Sequence, residues 1–104
     1  MYFYQKNIIM ANIRELKKDI NLITEEVISD CLLFVDIHPK HDKQPVADII
    51  NKMIDKRNKL IYQVNHHDTK ASRSENNTKY KKITEELLDT ANSCLEELSK
   101  LAKK

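Results

Sequence analysis

No glycine occurs anywhere in the chain's 104 residues, and this absence constrains the fold more than any motif that is present. Glycine is the residue that takes positive φ without steric cost. Phosphate-binding loops, dinucleotide fingerprints and nucleophile elbows all need such a backbone, so those sites are excluded. Primed two-residue hairpin turns lose their preferred residue too, which argues against a sheet. The only prolines, Pro39 and Pro45, fall in one short stretch. Helix is what such a chain is left to form on either side of it.

Apolar spacing agrees. Ile9, Ile13, Leu16, Ile20, Ile23, Val27, Cys31 and Phe34 recur in steps of three and four, which is one face of a helix. This predicts helix 1 over Asn7–Ile37, with Ile28, Leu32 and Val35 widening its apolar face. Pro39 ends it, because the residue before a proline is pushed out of the helical region. A connector, His38–Gln44, leads to helix 2 over Pro45–Asn65, with proline in the first turn where its missing N–H costs nothing. The stripe of helix 2 is Val46, Ile49, Ile50, Met53, Arg57, Leu60, Ile61 and Val64, with Ile54 beside it. A polar connector over His66–Asn76 precedes helix 3, Asn77–Ala102. Its stripe is Tyr80, Ile83, Leu87, Ala91, Cys94, Leu98 and Leu101, flanked by Leu88, Leu95 and Ala102. Short connectors favour antiparallel neighbours. The expected fold is therefore all-α: an up-down-up antiparallel three-helix bundle that self-associates, since one small core is marginal by itself.

Residues 1–9 read as an extension before Met10, rich in the residues that AT-rich DNA encodes when leader sequence is read through. Residues 10–104 form the expected single domain. Cys31 and Cys94, with no CxxC and no zinc-finger spacing, read as reduced thiols in a core. No apolar run approaches the roughly 20 residues of a membrane span. No secretory signal is legible, and a cytoplasmic protein is expected. The general make-up resembles that of small bacterial helical proteins.

Ile23-Thr24-Glu25-Glu26 recurs as Ile83-Thr84-Glu85-Glu86. In an up-down-up bundle both copies can sit at one height, and Arg57, which interrupts the apolar stripe of helix 2, falls at the same level. The pattern predicts a structural polar layer in which Arg57 meets Glu26, Glu86 or both, because a planar guanidinium can serve two carboxylates. Such pairs inside bundles chiefly set register.

Catalytic chemistry is hard to assemble from these residues. His38 and His41 stand at one end of helix 2 and His66 and His67 at the other, about 30 Å apart, so the two pairs cannot share a metal within one chain. His66-His67-Asp68 resembles the HD phosphohydrolases in two letters, in a chain too short for that fold. Arg57-Asn58 followed by a histidine resembles the signature of HEPN ribonucleases, which are small helical bundles. Here eight residues separate Arg57 from His66, which puts the histidine in the wrong place. No enzyme and no cofactor is expected.

Charge and outer-face residues point instead to partners. The formal net charge is only +2, yet the expected fold segregates it. The end made by the start of helix 1, the end of helix 2 and the start of helix 3 is basic, with Lys59, Lys70, Arg73, Lys79, Lys81 and Lys82 exposed. The opposite end is acidic. On helix 1, Leu22 and Leu33 fall on the side away from the core, about 16 Å apart along the axis, and suggest a seam. The leading expectation is a non-enzymatic protein–protein interaction or structural module, a homodimer through helix 1. The alternative is a nucleic-acid or polyanion binder that uses the basic end.

Overall fold

The computed structural model describes residues 13–66 and 73–103. Among these, three α-helices, α1 (Ile13–Ile37), α2 (Gln44–Asn65) and α3 (Arg73–Ala102), each pack against the other two. Helix accounts for 90% of the structure and no strand occurs among the described residues. The expected start of helix 1, the extension over residues 1–9 and Met10 lie outside the described residues.

Helix boundaries follow from local chemistry. At the end of α1 the His38 N–H donates to the Phe34 carbonyl at 2.9 Å, and Pro39 follows. At the start of α2 the Gln44 N–H donates to Asp42 Oδ1 at 3.1 Å. That carboxylate serves one of the donors a helix start leaves unpaired, and Pro45 occupies the first turn. At the end of α2 no glycine is present to take the left-handed cap conformation. His66 keeps φ at −108°, and its N–H donates to the Tyr62 carbonyl at 3.0 Å. Its ring Nδ1 lies 2.8 Å from the same oxygen. A carbonyl only accepts, so Nδ1 carries the proton in this contact. The imidazole also stacks on the Tyr62 ring, centroids 3.9 Å apart.

Helix α3 begins at Arg73, four residues before the expected Asn77. Its first turn is polar, with Ser74 and Glu75 exposed. Such a turn makes no contribution to an apolar stripe, so its helicity leaves no periodic trace.

The core is one cluster. From α1 it takes Leu16, Ile20, Ile23, Val27, Cys31 and Phe34, and from α2 Val46, Ile49, Met53, Leu60 and Val64. From α3 it takes Tyr80, Ile83, Leu87, Leu88, Ala91, Cys94, Leu95 and Leu98. Three flanking residues depart from expectation, Ile54 of α2 among them at 36% exposed. Leu32 is 55% exposed and Ala102 is exposed. On the α1 wheel Leu32 stands about 140° from Val27, and half-burial ends just before it, at Ile28 and Asn21. Ala102 is the final helical residue, past the last core layer.

The repeated tetrapeptide has a physical counterpart. Thr24 and Thr84 are both buried, and each hydroxyl donates to the carbonyl four residues earlier: Ile20 at 2.7 Å and Tyr80 at 3.0 Å. Back-bonding of this kind lets a threonine enter an apolar core with its hydroxyl satisfied. The following Glu25 and Glu85 are exposed.

Candidate functional site

Large apolar side chains on the outside of α1 are the most unusual surface feature. Leu22 is 49% exposed, Leu33 56% and Ile37 61%. Taking Val27 as the centre of the buried face, Leu22 and Leu33 fall on the opposite half of the helix, at about 220° and 240°, and Ile37 stands on the flank of the buried face, at about 280°. Exposed Ser29 lies among them, a small side chain that allows close approach. Beside this face runs a groove of about 290 Å³ between the C-terminal turns of α1 and α3. Leu33, Phe34, Ile37, Leu98 and Ala102 form its apolar walls, with Asp30 and His38 at its edge. Phe34 is held from both sides of the connector, since its ring contacts His38 at 4.5 Å and His41 edge-on at 5.2 Å. His41 Nδ1 is 2.8 Å from the Asp42 carbonyl, so it too is protonated there.

Around Arg57 the structure brings in two amides that periodicity does not single out. Arg57 is half-buried. Its Nε donates to Asn21 Oδ1 at 2.9 Å and its Nη1 to Asn58 Oδ1 at 3.0 Å. Glu26 is exposed and Glu86 half-buried. The available signal was the position of Asn21, about 120° from Val27 at the edge of the α1 stripe, where an amide can meet a cation without being fully desolvated.

The candidate cations spread over two helices. Lys59 on α2 and Lys81 and Lys82 on α3 are exposed, and Lys79 is half-buried with Nζ 3.4 Å from the His66 carbonyl. That contact sets the start of α3 against the end of α2. Arg73 is the first residue of α3. Lys70 lies outside the described residues. A second groove, about 440 Å³, runs along α2 past Lys52, Lys56 and Lys59, but Asp48 and Asp55 alternate with them. Its charge is therefore mixed, which does not suit a polyanion.

Cys31 and Cys94 are free and fully buried. Burial above all pushes both thiols up to about 11, with the proximity of Cys94 a lesser contribution to the rise at Cys31. The Cys94 Sγ lies 3.9 Å from the Ile49 carbonyl, the geometry of a weak S–H donor. A thiol kept protonated is a poor nucleophile. Among the described residues no group of three or more His, Cys, Asp or Glu is placed to hold a metal ion, and no helix is long and apolar enough to cross a membrane.

Comparison with known proteins returns no match: no family model, no curated protein and no solved structure. The functional reading therefore rests on the surface chemistry of this chain.

Proposed function

We propose that this protein is a non-enzymatic interaction module of the cytoplasm, an up-down-up antiparallel bundle that pairs with a second copy through the outer face of α1. Three contacts support the antiparallel course of α2 and α3. Cys94 reaches Ile49, Lys52 reaches Glu97 at 2.9 Å, and Lys79 reaches His66. From Ile49 and Lys52 near the start of α2 to His66 at its end, the partners on α3 fall back from Cys94 and Glu97 to Lys79. The six-residue connector between α1 and α2 favours the same relation for that pair. Two free, protonated thiols suit a reducing compartment.

One observation carries the pairing: Leu22 and Leu33 stand exposed on the side of α1 opposite its buried stripe, with exposed Ile37 on the flank between the two. Scattered surface leucines are ordinary, but a row along one helix face marks an interaction site. A two-fold pair is the simplest closed arrangement that covers such a row.

Sedimentation equilibrium tests the reading. The wild-type protein is expected to dimerise with a Kd at or below about 100 μM, a modest affinity for a small interface. Leu22→Glu/Leu33→Glu should give a folded monomer with an unchanged helical circular dichroism spectrum. A wild-type monomer at that concentration overturns the proposal. Binding to mixed RNA and DNA that weakens steeply with salt would replace it by the polyanion reading.

A further inference from the structure

Charge along α1 is segregated as sharply as its apolar surface. On the wheel, every described residue between about 220° and 300° from Val27 is a carboxylate or a large apolar side chain. Glu15, Asp19, Glu26 and Asp30 are interspersed there with Leu22, Leu33 and Ile37, and all are exposed or half-buried. The stripe runs for about 33 Å. Its far end is the wall of the groove shared with Leu98 and Ala102 of α3. No lysine or arginine follows Lys18 on α1, and none lies between Lys82 and Lys100 on α3. Arg14, Lys17 and Lys18 therefore temper only the first turns of the stripe. At the other end, Lys40 and Lys43 stand on the connector, Lys103 lies past the end of α3, and Lys100 meets Glu96 at 3.7 Å.

We infer that the groove between α1 and α3, with the acidic stripe that leads into it, docks a cationic amphipathic helix of another protein. Such a helix lays its apolar face into a groove and leaves its polar flanks at the rim. Here the apolar face meets Leu33, Ile37, Leu98 and Ala102. Lysines or arginines about one turn to either side meet Asp30 and Glu26, charge against opposite charge. The chain as a whole carries +2, so attraction for a cationic segment comes from this face and not from overall charge. A second copy is the poorer occupant, because its own α1 brings Glu15, Asp19 and Glu26 to the same rim. Phosphate-bearing partners are repelled by it. The inference rests on the reading of this protein as an interaction module and not on its self-pairing. The incoming helix competes with a second copy for Leu22 and Leu33.

The test uses a fluorescein-labelled amphipathic peptide of leucine and lysine, about 18 residues or five helical turns long, titrated with the full chain at low salt and read by fluorescence anisotropy. A Kd of about 10 μM is expected, weakening as salt rises. A scrambled peptide of the same composition, which has no apolar face, should bind at least tenfold more weakly. Glu26→Lys/Asp30→Lys should weaken binding of the amphipathic peptide at least tenfold. Asp48→Lys/Asp55→Lys, the same change of charge placed on α2, should change it less than twofold. Leu33→Gln/Ile37→Gln keeps the charge and should also weaken binding at least tenfold with an unchanged helical circular dichroism spectrum, so the inference stays testable if the charge reversal unfolds the chain. Equal binding of the scrambled peptide, or equal losses in the two charge reversals, would show diffuse attraction and overturn the inference. Absence of binding at about 100 μM overturns it too. Self-association is read separately by sedimentation. A wild-type monomer that binds the peptide overturns the pairing alone, and a dimer that the peptide neither binds nor dissociates overturns this inference alone.

Discussion

Helices α1 and α3 share a tetrapeptide and the same buried threonine bond, yet they treat their outer faces differently. Among the described residues, α1 exposes Leu22, Leu32, Leu33 and Ile37, and α3 exposes no large apolar side chain. Where α3 meets solvent it presents Lys81, Lys82, Glu85, Asp89, Glu96 and Glu97. The core makes the same demand of both helices, an apolar stripe at helical spacing. Only the outward face is free to vary, so a difference there reflects something other than folding. The contrast separates residues that hold the bundle together from residues available to a partner.

The sharpest way to break the contrast is to truncate both kinds of leucine. Leu88→Ala, in the fully buried layer of α3, should cost about 2–5 kcal/mol in urea unfolding. Leu32→Ala on the exposed side of α1 should change stability by no more than about 0.5 kcal/mol. Equal losses at the two sites would mean that the outer leucines belong to the fold.

A smaller effect comes from the two thiols, one on each helix. Their ordinary value is 9.0 and burial raises both to about 11. Between these values the unfolded chain releases protons that the folded chain retains, so stability falls as pH rises from 9 to 11 and is fully present below 9. The loss is on the order of 2 kcal/mol per thiol. The variant Cys31→Ala/Cys94→Ala should show a visibly flatter decline across this range. Parallel declines for variant and wild type would show that the thiols do not cause it.

The smallest effect concerns the polar contact between α1 and α2. Arg57 is half-buried and bonded to Asn21, so removing one partner leaves the other within reach of water. A double-mutant cycle over Asn21→Ala and Arg57→Met should give a coupling of about 1 kcal/mol. A coupling near zero would make the contact incidental, and one above about 3 kcal/mol would indicate a buried charge network.

Most of the fold was legible because it is written in periodicity. The stripes of Leu16–Phe34, Val46–Val64 and Tyr80–Leu98 are the observed core almost residue for residue. Pro39 and Pro45 mark the first connector to within a residue. The buried thiols were legible for the same reason, since both lie on those stripes. The polar start of α3 was not, because a turn that touches no core has no pattern to read.

What the sequence determined by itself is the inward half of the molecule: which residues face the core and where two of the helices stop. Burial of apolar surface enforces that at every third or fourth position, so the pattern can be counted. Tertiary structure alone decided the partners and the limits of burial. Arg57 meets Asn21 because packing brings α2 against the edge of α1, and that contact depends on how two helices cross, which no single-helix period encodes. Leu32 lies outside and Ile28 is half-covered because about 40° of wheel separates them, and only the placement of the neighbouring helices sets where the cover ends. The groove beside Ile37 has the same origin. Its apolar walls come from both α1 and α3, and the pattern of neither helix alone encodes their meeting.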